Sequence, residues 1–282
     1  MRVCFALLTV LFFSNCTTPR FAYSPNAHNV PVLAEKNDSK IAFDYSTNAD
    51  TRQSADKYSR NRSNGYDVQA AYAVTKNVAV QGSYFSRTER TYSNSSDNYF
   101  DSSAIRYNRN LAEFGIGYFT PIDKKGKIHF QAFGGAGFGK VTITDNGRDN
   151  NQLLYSRFFN ADITKFYIEP AITFRSKEIF AASLSTRFSI IKFRNIQTNY
   201  TQAEKESFHL DSIGRNAIVF FEPAFVNSYG INKLPGLRIE YQVGLSLLMS
   251  RTIVDNRTFN FSIGLLFDIP KLIKGTANKN DN

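Results

Sequence analysis

From residue 40 onward, apolar and polar residues alternate with a period of two, and no stretch sustains a helical period of 3.6, so the sequence predicts strands. The clearest is 237–247. Leu237, Ile239, Tyr241, Val243, Leu245 and Leu247 share one face, and Arg238, Glu240, Gln242, Gly244 and Ser246 share the other. A face that carries an arginine and a glutamate cannot lie against lipid tails and must line an interior, which turns the apolar face outward. The pattern recurs in 41–45, 66–72, 78–84, 112–118, 128–138, 166–174, 180–190, 219–225 and 259–267, giving about ten strands. In 128–138 the face opposite Ile128, Phe130 and Ala132 leads into Gly135, Gly137 and Gly139, which relieve crowding inside a narrow barrel.

The links between these segments alternate in length. Long ones run 47–64, 86–106, 142–163, 195–216 and 250–257, and short ones are 75–77, 123–127, 176–178 and 231–236. Short turns on one side of a membrane and long loops on the other characterise an up-and-down barrel that crosses a bilayer. The expected fold is therefore all-β: a closed antiparallel up-and-down transmembrane β-barrel of about ten strands over 39–269. A soluble carrier of lipocalin type would place apolar residues inside and polar ones outside, against the charged inward rows.

Composition fits this reading. Aromatic residues make up 15% of the 282-residue chain, yet the mean hydropathy is −0.32 and no apolar run beyond the N-terminus is long enough for a membrane helix. The net charge of +10 is scattered rather than gathered in a basic block, which argues against nucleic acid as a partner. Met1 and Arg2 followed by the apolar run 3–13 read as an export signal, taken as 1–15. Cys16 follows it in the position of a lipobox cysteine and is the expected lipidation site; the competing cleavage, after Ala22-Tyr23-Ser24, would discard it. Residues 16–38 lack periodicity and read as an extended periplasmic tether, and 270–282 as a disordered basic tail.

Alternation over most of the chain, Gly-rich inward rows, the alternating loop lengths and the export signal resemble the outer-membrane β-barrel proteins of Gram-negative bacteria. Cys16 and its tether resemble lipoprotein-like barrels of the Bacteroidota type. The resemblance implies residence in the outer membrane with both termini periplasmic, and membrane lipid as a partner. One departure is that Phe267, similar to the terminal aromatic of such barrels, is followed by further residues.

The inward rows hold Glu113, Lys165, Glu169, Arg175, Arg187, Glu222, Arg238 and Glu240, nearly balanced in sign. Buried charges demand partners, so these are expected to pair and close the lumen; a narrow pore for small solutes is the alternative. Glu169-Pro170-Ala171 and Glu222-Pro223-Ala224 form a weak repeat with glutamate inward, each proline marking a bulge or strand end. A lipid-modifying barrel enzyme is the less favoured third reading. His28 falls in the tether, His129 starts an inward row, and His209 lies in an outer loop beside Ser207, Asp211 and Ser212 without a nucleophile motif. Residues 134–139 lack the Lys-Ser/Thr ending of a phosphate loop. No cofactor, metal or catalytic residue is expected. The long links carry Tyr58, Arg60, Arg62, Arg87, Arg90, Tyr92, Tyr99 and Tyr107, suited to an extracellular glycan or protein.

Overall fold

The computed structural model describes residues 19–48, 60–94, 102–148, 153–176, 179–231 and 234–272. The expected signal 1–15 and Cys16 lie outside these residues. The strands are β1 (Ser39–Thr47), β2 (Arg60–Ala73), β3 (Val78–Asn94), β4 (Ser102–Pro121), β5 (Ile128–Arg148), β6 (Leu154–Ser176), β7 (Phe180–Thr198), β8 (Ile218–Ile231), β9 (Leu234–Leu245), β10 (Leu247–Leu248) and β11 (Phe259–Asp268). A short helix, α1 (Gln202–Ser207), lies between β7 and β8 and is held by a capping box of Thr201 and Glu204. Each strand pairs antiparallel with its neighbours, and β1 pairs with β11, which closes the sheet. Strand β10 keeps the register of β9 against β8, as Ala224 opposite Gly244 leads to Phe221 opposite Leu247, so the barrel has ten staves.

The expected faces hold. On β9, Ile239, Val243 and Leu245 are exposed while Arg238, Glu240 and Gln242 are buried, and Phe114, Ile116, Phe138, Phe166 and Leu184 elsewhere on the wall are each more than half exposed. A soluble monomer rarely shows so large an apolar surface; here it forms a belt for acyl chains. Exposed tyrosines edge the belt, with Tyr72, Tyr118 and Tyr229 near the short turns and Tyr45, Tyr66 and Tyr84 toward the long links. Along β7 the belt runs from Phe180 to Ile190, the ~9–11 residues that a tilted strand needs to cross a bilayer.

The long links differ from expectation. Much of 86–106 and 142–163 is paired strand: Arg87 faces Arg109, and Ile143 faces both Tyr107 and Phe159. These extensions invert the pattern of the belt. Beyond Phe138 on β5, Lys140, Thr142 and Thr144 point outward while Val141 and Ile143 are buried. Ile105, Tyr107, Phe159, Ile163, Ile191, Phe193 and Phe220 join them in an apolar core closed by Tyr200, Leu210, Ile213 and Val254. Where lipid ends and water begins, the apolar face turns inward, because burial removes apolar surface from water. Arg87 and Tyr107, read as loop residues, are therefore interior wall residues.

Two further expectations change. Residues 20–31 are buried along their whole length, so the stretch read as a solvated tether runs inside the barrel. It enters at the long-link end, where the Tyr107 hydroxyl donates to the Pro19 carbonyl at 3.1 Å, and reaches the short-turn end, where Leu33 packs with Ala73, Ala79, Phe119 and Phe133. The chain then reverses at Asp38, whose carboxylate accepts the backbone N–H groups of Ala34 and Glu35. Pro19 and Asp268 consequently lie at opposite ends of the barrel, not on one side. At the other terminus, residues 269–272 form a helical turn that takes in the start of the expected disordered tail, 270–272, with Lys271 paired to Asp268 at 3.0 Å.

Candidate functional site: the filled lumen

The threaded segment is a single extended strand with wall on every side, so each of its polar groups must find a partner within the barrel. At the long-link end the Arg20 guanidinium pairs with Asp145 and stacks over Phe208 at 4.0 Å. The Ala22 N–H donates to the Asp255 carbonyl and the Arg257 N–H to the Tyr23 carbonyl, both at 3.0 Å. Beneath them Glu89 accepts from Arg109 and Arg257, each at 2.7 Å, while Arg109 also reaches the Phe21 carbonyl. Arg87 donates to the Ser24 hydroxyl at 2.9 Å and to the Pro25 carbonyl at 3.2 Å.

At mid-barrel Asn26 joins the wall charges. Its amide N–H donates to Glu113 at 2.7 Å, while its oxygen accepts from Lys165 and Arg187, both at 3.1 Å. Lys165 lies 2.9 Å from Glu113 and 3.7 Å from Glu222, and Arg187 pairs with Glu169. The Tyr23 hydroxyl donates to Glu222 at 2.8 Å. Farther along, the Ala27 N–H donates to Asp67 at 3.1 Å, and the His28 backbone exchanges hydrogen bonds of 2.9 and 2.8 Å with the Gln242 amide. The His28 ring lies 3.0 Å from the Ser185 hydroxyl, so this histidine is buried rather than solvated.

Of the eight charged residues read as lumen lining, Glu113, Lys165, Glu169, Arg187 and Glu222 thus form one cluster. Glu240 pairs instead with Lys40, 3.0 Å away. Arg238 donates to the Ser228 hydroxyl and carbonyl, and half-buried Arg175 lies near the short turns, beside a cavity of about 20 Å³ that it lines with Lys40, Arg238 and Asp268. The Glu-Pro repeat also finds its place. Arg187 stands opposite Glu222, with Glu169 bound from its other side, so the two Glu-Pro steps flank β7 and supply both carboxylates. The register keeps its phase past both prolines, but the ladder is interrupted beside each: Glu169 and Pro170 are unpaired toward β7, and β9 ends at Leu245, opposite Pro223; a register shift in β6 falls separately, between Asn160 and Asp162.

Sequence reasoning missed Lys40, Asp67, Arg87, Glu89, Arg109 and Asp145 as interior charges, and Arg20, Asn26 and His28 as lumen residues bonded to the wall. The wall residues follow the alternation of their strands and were legible in principle once the extensions were taken as strand. The histidines suggest no chemistry of their own. His129 lies 3.0 Å from the Gly126 carbonyl, and His209, at φ 54°, lies 3.4 Å from Asp255 in the links that close the long-link end. Among the described residues no group of three or more His, Cys, Asp and Glu is placed to hold a metal.

The sequence matches no protein-family model and no curated protein. Among solved structures, it is similar to the outer membrane protease OmpT from Escherichia coli, at 7% identity and TM-score 0.44 over 85% of this chain and 99% of that one. It is also similar to the translocator domain of the autotransporter NalP from Neisseria meningitidis, at 10% identity and TM-score 0.41 over 83% of this chain and 89% of that one. A third is Ail, the attachment invasion locus protein of Yersinia pestis, at 12% identity and TM-score 0.29 over 83% of this chain and all of that one. The chain's own closed register establishes the barrel, and these likenesses assign it no activity.

Proposed function

We propose that the protein is a non-enzymatic outer-membrane barrel, closed to solutes by its own N-terminal segment, which acts through the surface it presents on the long-link side. The observation that carries this reading is the threading of residues 20–31 down the lumen, where they bond to wall residues at every level. A water-filled pore would leave those wall charges to solvent. Here they are matched to one another and to an extended strand, as an interior fills when it has no path to conduct. Outer-membrane residence, with the short turns periplasmic, accounts for the tyrosine-edged belt and for strands that project beyond it on one side only.

The threading also bears on Cys16. Cleavage after Ser24 would remove Arg20 and Tyr23 from Asp145 and Glu222, which favours a mature chain that begins upstream of Arg20.

Planar-bilayer conductance tests the closure. The wild-type chain should give no stable channels. Ala27→Asp, which sets a carboxylate beside Asp67 at a position 1% exposed, should expel the segment and open them. Steady channels from wild-type protein would show a passive pore and end this reading.

A further inference from the structure

On the outward face of the extensions, three arginines stand directly opposite one another. Arg62 of β2 pairs with Arg90 of β3, and Arg90 pairs with Arg106 of β4. All three are exposed, and among the described residues none makes a hydrogen bond or ion pair. Like charges facing across a ladder repel at Cβ separations of about 5 Å, so the row is unfavourable unless an anion bridges it.

The rows on either side suit the same kind of ligand. Toward the belt lie Asn64, Thr88 and Asn108, again mutual cross-strand neighbours, with the Thr88 hydroxyl 3.1 Å from the Asn108 side-chain oxygen. Away from the belt, Tyr92 opposite Ala104, and Ala104 opposite Asn146, open onto a shallow groove of about 490 Å³ that Arg148, Leu154 and Tyr155 complete. Amides and a hydroxyl to bond sugar hydroxyls, a row of guanidinium forks matched to phosphate oxygens, and the Tyr92 ring therefore adjoin on one face.

The height of this face selects the source of the anion. Arg62 is four residues beyond Tyr66 and Arg90 six beyond Tyr84, so at ~3.3 Å per residue and a tilt of ~40° the row stands roughly 10–15 Å above the belt. The side chains point sideways, parallel to the membrane, into the layer that lipid headgroups occupy. We propose that this face binds the phosphate-bearing sugar headgroups of glycolipids in the surrounding outer leaflet. The inference rests on the membrane reading above, but not on closure of the lumen.

The test uses the full chain in lipid nanodiscs with three probes: a rough lipopolysaccharide with its phosphates intact, the same glycolipid dephosphorylated, and heparin as a soluble polyanion. Wild-type protein should retain the phosphorylated glycolipid, and removing the phosphates should weaken binding at least tenfold. The triple variant Arg62→Gln, Arg90→Gln, Arg106→Gln should lose on the order of tenfold per arginine while keeping the wild-type gel mobility of a folded barrel. Its thermal stability without glycolipid should be no lower, since repulsion has been removed. Lys124→Gln with Lys125→Gln and Lys127→Gln, three exposed lysines at a short turn, controls for net charge and should bind as wild type. Equal retention of the dephosphorylated glycolipid, undiminished binding by the triple variant, or equal loss in the control would overturn the site. Heparin binding without glycolipid binding would overturn the assigned source. Conductance is read separately: channels from a barrel that binds glycolipid defeat the plug alone, and failure to bind in a silent barrel defeats this site alone.

Discussion

Lys165 offers the sharpest test of how the lumen is held together. Its ammonium group is fully buried, 2.9 Å from Glu113, 3.7 Å from Glu222 and 3.1 Å from the Asn26 oxygen. Lys165→Met keeps most of the stem's volume but leaves two carboxylates without this cation. Breaking a buried pair from one side costs about 3–5 kcal/mol. Glu222 retains donors in Tyr23, Ser189 and Ser246, which places the expected loss toward the lower end of that range. Adding Glu113→Gln should then recover part of it, with a coupling energy of about 1–3 kcal/mol between the two positions. The assay is urea unfolding of the barrel in phospholipid vesicles, followed by circular dichroism because the chain has no tryptophan. A single variant within ~0.5 kcal/mol of wild type, the range of an exposed site, or strictly additive losses, would refute the account of a tightly coupled interior.

The absence of tryptophan also gives a clean test of the two faces: in lipids with brominated acyl chains, Phe114→Trp should be strongly quenched and Phe133→Trp should not, and the reverse order would invert the barrel. On β5, Gly135→Ala should destabilise by roughly 1–3 kcal/mol, since its Cβ would collide with the Phe114 carbonyl. Gly134→Ala, with its nearest neighbour 3.7 Å away, should be neutral, and thermal denaturation of the pair decides between them. In the short turn between β4 and β5, the N–H groups of Ile128, Lys127 and Lys125 hold the Asp123 carboxyl below its ordinary range. A depressed folded pKa stabilises above the unfolded value and is lost as pH falls through the folded one. The protection of amides in this turn, taken relative to the intrinsic exchange rate at each pH, should therefore hold at neutral pH and fall under acid, a dependence that Asp123→Asn should abolish.

All ten staves and both faces of the belt were legible in the sequence because a lipid-facing wall separates residues by the environment on either side of each strand. Arg238 and Glu240 beside Ile239 and Tyr241 carry that information unaided. The extensions were harder to read. Around Ile143 and Tyr107 the apolar phase inverts, and an inverted alternation amid Asn, Thr and Arg resembles a solvated loop until the pairing is known. The threaded segment leaves no periodic trace. A strand surrounded by wall on every side has no polar face to alternate with, and Pro25, Asn26, His28 and Asn29 read the same in water as among buried charges. The candidate cluster was half visible for this reason: alternation placed Glu113, Lys165 and Arg187 inward, but their shared partner Asn26 belongs to the aperiodic stretch.

Because the lumen strand precedes β1 and runs opposite to it, the two are legs of one hairpin bent at Asp38. The barrel can therefore acquire its last seam, β1 against β11, only around an occupant already in place, or else must admit that leg through a closed cylinder packed with matched charges. The first order of events is the simpler one. The leading leg then serves the remaining strands as a mandrel, and a chain shortened from its front would have to close its seam around water instead.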